Sequence, residues 1–170
     1  MTQALIKPVS LLLALLPQAG LALSTDSNQP MLIEANSAEL DDKNGVSIYR
    51  GNVKVTQGTL VLTGETMTVY NSGNDISKVI MEGEPATYRQ RPDGKEQDIN
   101  ASARKMEYFK NPDKVILTTD AKVEQEGDIL RSEHIVYDID NDQVTAGGNN
   151  PSHRVRITLQ PKNKNNKPKP

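Results

Sequence analysis

Two histidines, His134 and His153, and a few closely spaced acids are the side chains here whose types could do chemistry. His134 stands beside Ile135 in an alternating apolar and polar run, and no nucleophile motif accompanies it for a general base to activate. His153 follows Pro151 and Ser152 in a loop. Asp138, Asp140 and Asp142 have the alternate spacing of a calcium loop but lack its glycine and its distant glutamate, so they read as the tip of a hairpin. Glu82 and Glu84 flank Gly83 and read as a turn. No G-x-S-x-G, H-E-x-x-H or phosphate-binding glycine loop occurs. These residues predict no catalytic centre, no metal site and no cofactor.

The elements that would have to position any site are strands. In Gly51–Tyr70, Val53 and Val55 alternate with polar neighbours, Gly58 interrupts, Leu60 and Leu62 alternate again, and Met67 and Val69 follow Gly64. Period two with valine, threonine and glycine punctuation means antiparallel strands joined by tight turns. The stretch recurs in Ala121–Tyr137: Val55 falls on Val123, Gln57 on Gln125, Leu62 on Leu130, Glu65 on Glu133, Met67 on Ile135 and Tyr70 on Tyr137. Turns are expected at Asp41–Gly45, where Asn44-Gly45 suggests type I′, and at Asn71–Asn74, Arg91–Gly94, Asn111–Asp113 and Asp138–Asp142. Gly83 and Pro85 should break a strand. The pattern predicts an all-β chain of roughly a dozen to sixteen short antiparallel strands, at the spacing of a sandwich or roll, built from an internal repeat.

Composition bears on what such a roll could hold. Hydrophobic residues make up 35% of the 170, with no tryptophan and one phenylalanine, Phe109. An interior of slender aliphatics and methionines is narrow or partly open. The inward positions expected from alternation are Met31, Ile33, Val53, Val55, Leu60, Leu62, Met67, Tyr88, Met106, Tyr108, Leu117, Ile129 and Ile135. They are the candidate lining of an apolar groove for alkyl chains, whose burial yields about 0.8 kcal/mol per methylene. A roll that does not close also leaves unlike edge strands at its two ends. Such edges pair head to tail and build open filaments.

The ends of the chain read differently from the body. Lys7, the apolar run Val9–Leu16 and the small residues near Gly20–Ser24 predict a cleaved export signal over 1–24, with cleavage after Ala22 or Ser24. The β domain is expected over 25–160 and a disordered basic tail over 161–170. The 22 acids all lie between Thr25 and Gln160 with 15 basic residues, so the body carries about −7 and the lysine tail +4. An acidic body argues against nucleic acid as a partner. The sequence has no cysteine, hence no disulfide, no thiolate metal site and no cysteine-linked lipid.

The run G-N-V-K-V-T-Q-G (Gly51–Gly58), L-x-L-x-G-E at Leu60–Glu65, V-Y at Val69–Tyr70 and G-E-P-A-T-Y-R-Q at Gly83–Gln90 together resemble the OstA-like domain family, over about Gln29–Leu159. Gly64-Glu65 and Ser132-Glu133 depart from the family's usual alanine-aspartate. The resemblance implies an open β-jellyroll in the periplasm whose groove shields the acyl chains of lipid A, with Met31, Tyr88 and Tyr108 facing it. It also implies passage of lipopolysaccharide from inner to outer membrane through head-to-tail copies. An LptC-type inner-membrane partner would sit at the N-terminal edge and an LptD-type outer-membrane partner at the C-terminal edge. The alternatives from the residues are an inert β-solenoid or adhesin module of the envelope, a carbohydrate-active β-roll, and a small outer-membrane barrel. The barrel lacks the aromatic girdles it would need.

Overall fold

In the computed structural model, residues 25–73, 75–148 and 154–161 are described; the expected signal over 1–24, His153 and the tail beyond Pro161 lie outside them. A single 3-10 turn, Thr25–Asn28, precedes ten strands: β1 (Leu32–Glu34), β2 (Ser37–Asp41), β3 (Val46–Gln57), β4 (Leu60–Ser72), β5 (Asp75–Gln90), β6 (Ile99–Lys110), β7 (Asp113–Gln125), β8 (Asp128–Asp138), β9 (Gln143–Gly147) and β10 (Arg156–Thr158). All pairings are antiparallel, in one open sheet. Strands β3 to β8 follow one another in space as in sequence; β1 and β2 share the free side of β3, and β9 and β10 share the free side of β8.

The strands are fewer and longer than the glycine spacing suggests. Gly64 and the Gly83–Pro85 segment do not end strands but lie inside β4 and β5. The reason is visible in the register, which shifts at matching levels in five successive pairs: Arg50/Val53, Thr63/Thr66, Glu82/Ala86, Ser102/Lys105 and Thr118/Ala121. Each shift is a bulge, which bends its strand without breaking the ladder. Gly51, Asn52, Thr119 and Asp120 absorb the distortion at positive φ. Five aligned bulges fold the sheet across its middle into two halves, upper and lower.

Small residues line this fold on the inner side. Gly64 faces Val53, Ala86 faces Ala103 and Ala121 faces Ser132 across neighbouring strands, and all but Gly64 are buried. Short side chains let the halves close together there. The repeat is equally plain in three dimensions: Val55 pairs with Leu62 across β3 and β4 as Val123 pairs with Leu130 across β7 and β8. At the β2–β3 turn, Asn44 N donates to Asp41 Oδ1 (3.0 Å) and only Gly45 takes positive φ (64°). The loop therefore closes through the Asp41 side chain rather than through a type I′ pair.

Candidate functional site

The inner face carries its side chains in continuous cross-strand rows, because one-to-one pairing puts directly opposed residues on one face. In the lower half one row runs Ala38, Tyr49, Met67, Met81, Met106, Leu117, Ile135, Ala146 from β2 to β9. Below it runs Leu40, Ser47, Val69, Val79, Tyr108, Val115, Tyr137, Val144. The upper half answers with Ile33, Val55, Leu62, Tyr88, Ala101, Val123, Leu130, Ile157 from β1 to β10. Three apolar rows thus cross the whole sheet and reach both of its free edges. The rows of the two halves meet at the fold, where their members pack into one buried apolar cluster.

Six of the residues expected to point inward, Val53, Val55, Met67, Met106, Leu117 and Ile135, belong to one buried cluster, with Ile33, Leu62 and Tyr88 packed against it. Tyr108 lies between Val79 and Val115 in the second lower row. Leu60 shares the face of Leu62 at the top of β4, opposite Gln57. Met31 is half-exposed at the edge, just before β1. Ile129 is misplaced by the sequence reading: its neighbour Leu130 packs on the core, so alternation turns Ile129 to the outer face, opposite Glu124. The repeat carries the correction, since Leu62 aligns with Leu130. Tyr49, Val69, Val79, Met81 and Val115 were missed. Tyr49, Val69 and Val115 keep the phase of Val53, Met67 and Leu117 in their own strands, whereas Val79 and Met81 lie across the β5 register shift from Tyr88 and in the opposite phase.

Polarity rises toward the upper rim. Gln90, Ile99, Gln125 and Asp128 form the last inner row there. The Thr25–Asn28 turn is bound to this rim. Gln57 Nε2 donates to the Gln29 carbonyl (3.0 Å), and the buried Asp26 carboxylate accepts from Thr59 N (2.8 Å), from the Thr59 hydroxyl and from Gln90 Nε2 (3.0 Å). The Tyr88 hydroxyl donates to Gln90 Oε1, joining this cluster to the upper apolar row. Burial, with the nearby Asp26 charge, pushes the Tyr88 phenol up to about 12. Tyr108 and Tyr137 rise to about 12 as well, chiefly through burial and then through Asp113 and Asp142 respectively.

Among the described residues, His134, the three hairpin aspartates and Glu84 make contacts within the sheet. His134 Nδ1 meets Thr118 Oγ1 at 3.3 Å on the outer face. At the hairpin tip Asp138 accepts from Asn141 N, Asp140 from Asp113 N and Asp142 from the Tyr137 hydroxyl. Glu84 pairs with Arg104 at 3.3 Å. Elsewhere on the outer face Lys78 (2.9 Å) and Lys105 (3.3 Å) flank Glu107; burial works against its charge, but these two lysines outweigh it and hold the carboxyl below its ordinary range. At both free edges apolar side chains stand in solvent: Leu32 and Leu40 on β1 and β2, and Val144 and Ile157 on β9 and β10.

Comparison with known proteins agrees with this geometry. Residues 32–143 match the family described as LptA/(LptD N-terminal domain) LPS transport protein. The chain is 42% identical over 152 residues to the lipopolysaccharide export system protein LptH of Pseudomonas aeruginosa, covering 85% of this chain and 87% of that one. It is 31% identical over 163 residues to the lipopolysaccharide export system protein LptA of Escherichia coli strain K12, covering 93% and 86%. Its fold matches the crystal structure of Pseudomonas aeruginosa LptH, the LptA homologous periplasmic component of the lipopolysaccharide transport device, with a TM-score of 0.70 and 40% identity over 80% of this chain and 99% of that one.

Proposed function

The chain belongs to the family of LptA and the LptD N-terminal domain, lipopolysaccharide transport proteins, and from that premise we propose that it is a non-enzymatic periplasmic carrier. Residues 1–24 direct export and are removed, 25–160 form the carrier, and 161–170 are a basic tail. The lipid A acyl chains of lipopolysaccharide lie along the groove, against the row through Val55, Leu62 and Tyr88 above and the rows through Met67, Met106 and Tyr108 below. The saccharide stays in water beyond the rim.

The observation that carries this reading is that the largely apolar rows, with Ser47 their one serine, reach both free edges and end there in exposed Leu40, Val144 and Ile157. A pocket for a stationary ligand would be walled at its ends; a groove open at both ends suits a cargo that moves through. Antiparallel alternation is preserved if the β9 and β10 edge of one copy meets the β1 and β2 edge of the next, so rows continue from chain to chain. The same edges suit an LptC-type protein at β1 and β2 and an LptD-type protein at β9 and β10.

Photoreactive side chains placed at Tyr88 and Tyr108 test the proposal in cells. Labelling of lipopolysaccharide from both positions is expected; absence of label from both sites overturns it.

A further inference from the structure

Asp26 is 5% exposed and stands among side chains that the groove itself does not require. Its carboxylate accepts from the Thr59 backbone N–H at 2.8 Å, from the Thr59 hydroxyl and from the Gln90 side-chain amide at 3.0 Å. The Thr59 hydroxyl is oriented for this: it accepts from Arg91 N at 3.1 Å, which leaves its hydrogen for Asp26. Gly58 turns the β3–β4 hairpin at φ 58°, and a Cβ there would collide with the Asp26 carboxylate. A turn with a converging backbone N–H, hydroxyl and amide is a general oxyanion receptor, with nothing in it specific to a carboxylate.

The place matters as much as the donors. Gln90 holds Asp26 with its amide nitrogen and the Tyr88 hydroxyl with its amide oxygen, so the cluster sits where the polar rim meets the apolar wall. Arg91 lies beside it on the rim, paired with Asp98 at 2.8 Å. Gln57 Nε2 also holds the Thr25–Asn28 turn, donating to the Ser27 and Gln29 carbonyls at 3.5 and 3.0 Å.

We propose that Asp26 is the internal occupant of an anion site on the groove rim, and that the anionic head of an acyl-bearing ligand, a phosphate or carboxylate, displaces it. The inference rests on the groove reading above and adds a polar subsite to it. With the head group on Thr59 and Gln90, the attached chain runs down past Tyr88 toward Leu62, and the N-terminal turn swings free. Without ligand, Asp26 keeps the donors satisfied and the rim closed.

The test uses the full chain with dodecyl phosphate, dodecyl maltoside and inorganic phosphate as probes, followed by amide NMR and by binding titration. Dodecyl phosphate is expected to shift the Thr59 backbone amide and the Gln90 side-chain amide, and maltoside to shift Leu62 and Tyr88 alone. Asp26→Asn should raise affinity for dodecyl phosphate roughly tenfold, by weakening the competitor, and leave maltoside within about twofold. An equal gain for both detergents, or none for either, overturns the anion site while leaving the groove intact. A Thr59 shift as large with inorganic phosphate alone overturns the link to an acyl chain. Failure of both detergents to bind sinks the groove reading and this inference with it. Should the variant not fold, the unmodified chain still decides through the Thr59 amide.

Discussion

Gly64 lies so close under Met81 that a Cβ added to it would stand 2.5 Å from the thioether sulfur and 2.7 Å from the Glu82 carbonyl oxygen. The contact falls on the line where the sheet folds, and Met81 is among the largest fully buried side chains. A methionine tail can yield, but a carbonyl held in the β4–β5 ladder cannot without disturbing a bulge.

Gly64→Ala should therefore destabilise the domain by about 1–3 kcal/mol, as overpacking does elsewhere. Urea unfolding followed by circular dichroism reads the loss as a lower midpoint. A midpoint unchanged from the parent would show that the halves are not closed there. The repeat makes the contrast sharp, because Ser132 occupies the matching place in β8 and donates to the Gly147 carbonyl at 3.3 Å.

Ile33→Asp puts a carboxylate opposite Val55, at the edge end of the upper row. Ile33 is only partly buried, so the fold should survive with a loss of about 1–3 kcal/mol while the groove acquires a charge in the path of an alkyl chain. Lipopolysaccharide binding in vitro and support of growth in cells are expected to fall together. Normal growth at normal protein levels counts against the carrier function.

The three tyrosines foretell alkaline behaviour. Tyr88, Tyr108 and Tyr137 titrate near 12 in the folded protein against 10.0 for a free phenol. A raised folded value means the native state holds its protons more tightly, so the contribution is complete below pH 10 and disappears between pH 10 and about 12. Unfolding midpoints should drop across that window, in step with late tyrosinate absorbance. Tyr88→Phe should shrink the drop; phenols that all titrate near 10 would contradict the burial argument.

Edge pairing predicts a concentration-dependent mass in light scattering. Ile157 is 63% exposed and Leu40 is 63% exposed, so Ile157→Asp and Leu40→Asp should cost little folding stability and hold the protein monomeric. A parent chain that stays monomeric at every concentration refutes head-to-tail assembly.

Much of this was legible in the residues themselves. Val53, Val55, Met67 and Ile135 alternate with polar neighbours, and alternation is a property of a strand alone. The copy of Gly51–Tyr70 at Ala121–Tyr137 was visible because both hairpins solve the same packing problem, and the structure sets Val55 with Leu62 as it sets Val123 with Leu130. What resisted reading was phase. Gly64 and Gly83 looked like ends of strands and proved to be points inside β4 and β5 where the register slips.

Local sequence therefore determined the class of the protein: β strands, a repeated hairpin and an aliphatic interior. Tertiary structure decided which residues share a face and what caps the rim. At the fold β8 steps out of phase, with Leu130 and Ser132 inward on one side and Ile135 inward on the other, and only the pairing with β7 records where that happens, as the exchange of Ile129 for Leu130 shows. Asp26 lies 33 residues from Thr59 and 64 from Gln90. No periodicity connects them; they meet because the folded sheet brings the start of the domain back onto the turn between β3 and β4.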